Sequence, residues 1–255
     1  MGTVILGTGS CLPERVVTNH DLAEIVETND EWIRTRTGIK TRRIAAAGEE
    51  TYRLAARAAE QALAMAGVAA ADLDLIVVGT ITSHMLMPST ACFVQKEIGA
   101  TKAFAFDLNA ACPGFLYGLD VADQYVRADP SRKILVIGAE TLSTRTNWED
   151  RNTCVLFGDG AGAAVVGGGP QGRGMVGSVL CSDGRLWSLL HMHAPVSNNA
   201  DLEEPDHPGV HIIMEGREVF KYAVKAMETS ISDLLHREGV SLDEIDLFIP
   251  HQANI

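Results

Sequence analysis

Two residues far apart in the chain are of the types that thioester chemistry needs. Cys112 follows the apolar run Ala103 to Leu108 across the turn Asn109-Ala110-Ala111, and Pro113 then opens a helical pattern through Phe115, Leu116, Leu119, Val121 and Ala122. A thiol at a helix N-terminus meets unpaired amide groups and the positive end of the helix dipole. Both favour the thiolate, so the expectation is a pKa lowered toward neutrality and an armed nucleophile. Amide groups of the same turn are also placed to steady an oxyanion. A buried inert thiol is the structural alternative, and it is the reading taken for Cys92 and Cys154. His251 comes directly after the apolar run Leu247 to Pro250 and is followed by Gln252, Ala253 and Asn254. Side chains at the carboxyl ends of buried parallel strands face the crevice where α/β proteins bind ligands. A Cys and a His in that layer suit a nucleophile with a general base or hydrogen-bond donor, while a purely structural His stays open.

The segment Arg34 to Arg43 holds five basic residues and no acid, in a chain of net charge -12. Such a patch suits the phosphates of a cofactor-sized ligand, and Trp32 beside it suits a flat base; the alternative is a solvated face with an anchoring Trp. Other patterns carry less. Gly158-Asp159-Gly160-Ala161-Gly162 leads into Ala163-Ala164-Val165-Val166, a strand pattern where a dinucleotide fold needs a helix, and Gly7-Thr8-Gly9 lacks the third glycine. The five cysteines form no CxxC pair, which disfavours a disulfide framework and a thiolate zinc cage. His191, His193, His207 and His211 have ligand-like spacings, but Pro195, Pro208 and Gly209 prevent a helix from aligning the last pair, so no metal is expected.

The elements that must position these residues read as α/β. Short apolar runs predict strands at Thr3 to Leu6, Leu75 to Val78, Ala103 to Leu108, Ile134 to Gly138, Gly162 to Val166, Met175 to Cys181 and Leu247 to Ile249. Helical patterns lie at Asn19 to Val26, Thr51 to Ala66, Pro88 to Ile98, Pro113 to Val126 and Arg217 to Arg237, with another starting at Asp30 behind an N-cap at Asn29. The 255 residues are 46% hydrophobic and 21% charged, the balance of a folded globular chain. With 33 acidic against 21 basic residues, phosphate-backbone binding to nucleic acid is a poor expectation. The N-terminal apolar stretch is broken by Gly7, Gly9 and Pro13 before it forms a signal core or span, so a reduced, cytoplasmic protein with no membrane insertion is expected.

One internal echo is present. Ala66-Gly67-Val68 runs through Asp72-Leu73-Asp74 into an apolar run, and Glu238-Gly239-Val240 runs through Glu244-Ile245-Asp246 into another, at a constant offset of 172 positions from Gly67 to Gly239 and Asp74 to Asp246. Chance similarity of two helix-to-strand connections and a duplication both account for it.

Taken together, Asp30-Glu31-Trp32-Ile33 with Thr35-Arg36-Thr37-Gly38-Ile39, Ala110-Ala111-Cys112-Pro113-Gly114-Phe115, Phe157-Gly158-Asp159-Gly160-Ala161-Gly162-Ala163 and Pro250-His251-Gln252-Ala253-Asn254 resemble the 3-oxoacyl-acyl carrier protein synthase III family, the initiating condensing enzymes of bacterial fatty acid synthesis. The resemblance covers essentially the whole chain. It implies an α/β thiolase-like fold: two similar halves in a layered αβαβα arrangement, with residues 1–171 as the first half and 172–255 as the start of an incomplete second. It implies that Cys112 accepts the acyl group and that His251 is one of two donors to the enolate formed from malonyl carrier protein. The catalytic Asn and the glycine-rich strand that completes the oxyanion hole are expected beyond Ile255. Trp32, Arg36, Thr37 and Arg151 match coenzyme A positions. Met87, Leu142, Phe157 and Leu189 match the acyl pocket, with Met87 in a loop that crosses a dimer interface. Lys221, Gln252 and Asn254 match the carrier-protein surface.

The function implied is decarboxylating condensation of acyl-CoA with malonyl-acyl carrier protein, by a homodimer that uses acyl-CoA as substrate and needs no cofactor. A secondary-metabolite condensing enzyme of the same fold, a Cys/His thioester hydrolase and an inactive binding subunit are the alternatives.

Overall fold

The computed structural model describes residues 2–199, 201 and 209–253. In chain order the elements are β1 (Thr3–Cys11), β2 (Val16–Thr18), α1 (Asn19–Ala23), α2 (Asp30–Thr37), β3 (Thr41–Arg43), α3 (Thr51–Ala66), β4 (Leu75–Gly79), α4 (Thr90–Ile98) and β5 (Phe104–Leu108). There follow α5 (Gly114–Ala128), β6 (Lys133–Thr141), α6 (Arg151–Cys154), β7 (Asp159–Gly168), β8 (Leu190–His191), β9 (Ile213–Met214) and α7 (Gly216–Glu238). They gather into two compact units. One holds the chain through Val16, Arg43–Leu142 and Gly158–Ser178; the other holds Val17–Arg42, Ser143–Phe157 and the chain from Val179.

The first unit is a five-stranded mixed sheet in the order β1-β7-β6-β4-β5. β4 runs parallel to β5 and β6, with Leu75 opposite Phe104 and Ile134, while β7 is antiparallel to β1 and β6. All five residues of β4 are buried, which is why Leu-Ile-Val-Val-Gly is apolar without alternation. Side chains along a strand alternate between faces, and the packing follows that rule. Ile76, Val78, Leu135, Ile137, Ala163 and Val165 meet α3 and α4 on one face. Leu75, Val77, Ile134, Val136, Ala164 and Val166 meet α5 on the other. The result is one helix-sheet-helix half of the expected layering. Gly7 and Gly9 explain themselves here: a methyl on either would come within 2.5 Å of the α3 backbone, so they let β1 lie against that helix and serve no phosphate.

In the second unit β2 pairs with β3, β8 pairs with β9, and α1, α2, α6 and α7 supply the helices. The Thr18 hydroxyl caps α1 in a reciprocal box with Asp21, and Asn29 caps α2 by accepting from the Trp32 amide at 2.8 Å, as the sequence predicts. Buried Arg42 donates to Val17 O, Asn19 Oδ1 and Val155 O, while Asn19 donates to Asp30 Oδ1 and Ile39 O. That network fixes both ends of α2.

The echo of 172 positions is structural. Gly67 and Gly239 both end helices in the left-handed region, at φ 63° and 67°, where a β-carbon is strained. Each is followed by a short 3-10 turn, Ala70–Asp72 and Leu242–Glu244. The copies then diverge. Two expected strands, Met175 to Cys181 and Leu247 to Ile249, do not form. A strand needs a ladder partner as well as an apolar run, and among the described residues neither run has one; Leu247 and Ile249 are 74% and 79% exposed. No helix among the described residues is long and apolar enough to cross a membrane.

Candidate active site

Cys112 sits in the first unit on the turn between β5 and α5, and the residue is exposed. Ala111 just before it adopts φ 48°, a left-handed conformation that costs a non-glycine residue about 1 to 2 kcal/mol. The Gly114 amide closes the turn on Ala111 O at 2.9 Å. Pro113 occupies the N-cap of α5, no side chain caps the helix, and its first turn carries no acid. Gly114 reaches this position because it packs backbone to backbone with the end of β4; a methyl on Gly79 would sit 2.7 Å from the Gly114 carbonyl carbon.

The electrostatics correct one expectation. Burial of the sulfur side pushes the Cys112 thiol up from the ordinary thiol range, a hydrogen bond from its own backbone pulls it down, and the Glu140 carboxylate pushes it up again. Desolvation of the charged form outweighs the backbone hydrogen bond. Glu140 is itself held up by burial and down by its donors: the amide of Ile81 at 2.8 Å, and the hydroxyls of Thr82 and Thr80. Cys154 is fully buried with its pKa raised by desolvation first, then by Asp150, the profile of an inert thiol.

The second unit carries a cationic aromatic cluster. Trp32 on α2 is half-buried, and the guanidinium carbons of Arg36 and Arg151 lie 4.6 and 4.9 Å from its ring centroid. Arg151 also donates to Glu27 O at 3.1 Å. Thr37 is buried, its hydroxyl donating to Ile33 O and accepting from the Ile39 amide. The basic run is not one surface patch: Arg42 is buried and structural, and Arg34 pairs with Asp30 at 3.4 Å.

His251 and Gln252 are exposed residues of the second unit, beyond the run that fails to form a strand. Asn254 lies outside the described residues. Lys221 is on α7, 72% exposed, with Nζ 3.4 Å from Glu218. Of the four acyl-pocket candidates, Met87 and Leu142 belong to the first unit and Phe157 and Leu189 to the second; Met87 is 84% exposed. Among the described residues no group of His, Cys, Asp and Glu has the arrangement of a metal site, and His207 lies outside them.

Residues 106–184, the stretch around Cys112, match the model of 3-oxoacyl-[acyl-carrier-protein] synthase III. Over all 255 residues the chain is 60% identical to the beta-ketoacyl-[acyl-carrier-protein] synthase III of Desulfotalea psychrophila, spanning 79% of that protein. The chain belongs to the beta-ketoacyl-[acyl-carrier-protein] synthase III family. Among solved structures, the synthase III of Aquifex aeolicus is 47% identical with a TM-score of 0.91, over 99% of this chain and 77% of that one. The priming beta-ketosynthase of the R1128 polyketide pathway is 37% identical with a TM-score of 0.91, over 99% and 75%. The thiolase-like fold of the family is thereby the fold of this chain.

For a synthase III, the features that sequence reasoning missed are the strained Ala111 and the Glu140 carboxylate. Ala111 left no signal, because nothing in an alanine announces a positive φ. Glu140 left one: it stands two residues past the expected end of a fully apolar strand, at the end of the sheet that also carries Cys112.

Proposed function

We propose that this chain performs the condensation that names its family: an acyl group from acyl-CoA joins Cys112 and CoA leaves. Malonyl-acyl carrier protein then loses carbon dioxide, and the resulting enolate attacks the thioester to form 3-oxoacyl-acyl carrier protein. Identity of 60% along the full chain carries this reading, and the strained turn that presents Cys112 supports it. With its pKa raised by burial, the thiol needs a base when acyl-CoA arrives. We assign His251 that role, and then the role of donor to the enolate; losing one such donor typically costs about 100-fold to 1000-fold in rate.

Trp32, Arg36 and Arg151 are read as the coenzyme A site, since two guanidiniums on one indole offer a stacking plane ringed by charge; Thr37 holds the end of that helix. Met87, Leu142, Phe157 and Leu189 are the proposed acyl pocket, and Lys221, Gln252 and Asn254 the carrier-protein contacts. The further reading is of a cytoplasmic homodimer that uses no cofactor, with residues 1–171 and 172–255 as its two thiolase-like halves.

A polyketide-type priming synthase is the second reading, favoured by the likeness to the R1128 enzyme. Product analysis with acyl-CoA, with and without malonyl-acyl carrier protein, separates the readings. The proposal expects a 3-oxoacyl carrier protein that appears only with malonyl carrier protein; free acid in its absence would indicate a hydrolase.

A further inference from the structure

The turn that carries Cys112 is held at both ends by the last residue of β4 and the residue that follows it. At its start, the Thr80 amide donates to the carbonyl of Leu108, the last residue of β5, at 3.2 Å. At its end, Gly79 packs against Gly114, too closely for a β-carbon. What holds Thr80 to Thr82 in turn is the end of β6. The Glu140 carboxylate accepts from the Ile81 amide at 2.8 Å and from the hydroxyls of Thr80 and Thr82. The Thr141 amide donates to Thr82 Oγ1 at 2.8 Å, and Thr51 on α3 donates to Thr82 O at 2.6 Å while sharing a hydrogen bond with the Thr141 hydroxyl at 2.7 Å. Thr51, Thr80, Thr82 and Thr141 are all buried.

We propose that Glu140 is a positioning residue for Cys112: its carboxylate pins the Thr80 to Thr82 turn, which holds one flank of the nucleophile's loop directly and adjoins Gly79, which packs on the other. The inference rests on the reading of Cys112 as the acyl acceptor. A well-packed hydrophobic plug would fill the same space, but it would leave the Ile81 amide buried without an acceptor, which costs about 1 to 3 kcal/mol. The carboxylate adds something that packing cannot, a negative charge that acts on the thiol.

Several charged groups on the surrounding elements are held by partners of their own. Asp159 on β7 accepts from the Ala45 amide at 2.7 Å, and Asp107 on β5 accepts from the amides of Thr90 and Ala91. Asp123 on α5 pairs with Arg127 at 2.5 Å, and Arg53 on α3 pairs with Glu50 at 2.7 Å. After burial, which raises the Cys112 thiol most, the Glu140 charge also disfavours the thiolate.

The test compares the full chain with Glu140→Gln and Glu140→Ala, leaving His251 intact. Two rates are read by mass spectrometry on the Cys112 peptide: alkylation by iodoacetamide against pH, and acetyl transfer from acetyl-CoA. Glu140→Gln keeps the shape and an acceptor for Ile81 but removes the charge, so the alkylation midpoint moves to lower pH while acetyl transfer is retained. Glu140→Ala releases the turn, and acetyl transfer falls about 10-fold to 100-fold, the scale of a misplaced reacting group. An alkylation profile of Glu140→Gln that superimposes on that of the unsubstituted chain overturns the proposal, as does full acetyl transfer by a folded Glu140→Ala. If Glu140→Ala does not fold, the Glu140→Gln profile decides alone. If the unsubstituted chain takes no acetyl on Cys112, the acyl-transfer reading fails. The alkylation profile needs no turnover and still decides the role of Glu140.

Discussion

At the scale of single residues, the chemistry of this chain depends on what surrounds each side chain more than on its type. Five cysteines share one functional group, and their settings differ: Cys154 is sealed in the second unit, whereas Cys112 stands on a strained turn at the mouth of α5. The same contrast separates the arginines of the basic run. Arg42 is buried and serves backbone carbonyls, while Arg36 lies over Trp32. Composition shows five cations in that stretch but cannot show which are surrendered to the fold. If Trp32 is the stacking plane for the coenzyme A base, Trp32→Ala raises the KM for acetyl-CoA about 10-fold, the equivalent of about 1.4 kcal/mol of lost stacking. Because the ring touches no reacting atom, kcat stays close to its original value. Steady-state kinetics over an acetyl-CoA series checks this, and a fall in kcat at unchanged KM would deny Trp32 that role.

At the scale of elements, the buried strands of the first unit were legible because a strand covered on both faces is written as an uninterrupted apolar run, and α3 was legible to its ends because its apolar stripe and terminal glycine agree. What the sequence does not write is pairing. Met175 to Cys181 and Leu247 to Ile249 have the right residues, yet they lack a ladder partner among the described residues and form no strand. The candidate site followed the same division: motifs point to Cys112, Trp32 and Arg151 as its proposed members, whereas the support beneath Cys112 depends on contacts between β4, β5 and α5 that no local pattern records. The Gly79 and Gly114 contact is the sharpest of these. Gly79→Ala places a methyl 2.7 Å from the Gly114 carbonyl carbon, an overpacking expected to lower stability by about 1 to 3 kcal/mol and to slow acylation of Cys112. Gly162→Ala in β7 is the control, since its methyl would meet nothing within 4 Å. Denaturant midpoints of the two variants should differ in that order, and equal midpoints would contradict the packing described.

At the scale of the whole molecule, acidic side chains set the response to pH. Asp183 is lowered to about 2 by Arg185, and Asp30, Asp74 and Asp129 are lowered by hydrogen bonds from Asn19, Lys102 and Ser131 respectively. For Asp74 burial works the other way, but its partners prevail. A carboxylate whose pKa is lower folded than unfolded contributes stability that is complete above its unfolded pKa of about 4 and is lost as pH falls toward the folded value. Glu140, raised by burial, has the opposite sign and gains on acidification. The depressed groups outnumber it, so thermal midpoints should hold from neutral pH down to about 5 and fall from about 4 toward 2. A midpoint that rises through that window would contradict the assigned pairings.

The proposed function rests on one thiol, Cys112, accepting the acyl group. The most direct measurement is incubation of the chain with acetyl-CoA, followed by proteolysis and mass spectrometry of every cysteine peptide, with Cys112→Ala alongside. The account predicts a single acetyl group on the Cys112 peptide, with free CoA released in equal amount, and no labelled cysteine in Cys112→Ala. Acetyl on the peptides of Cys154 or Cys181, or CoA release that continues unchanged in Cys112→Ala, would contradict it.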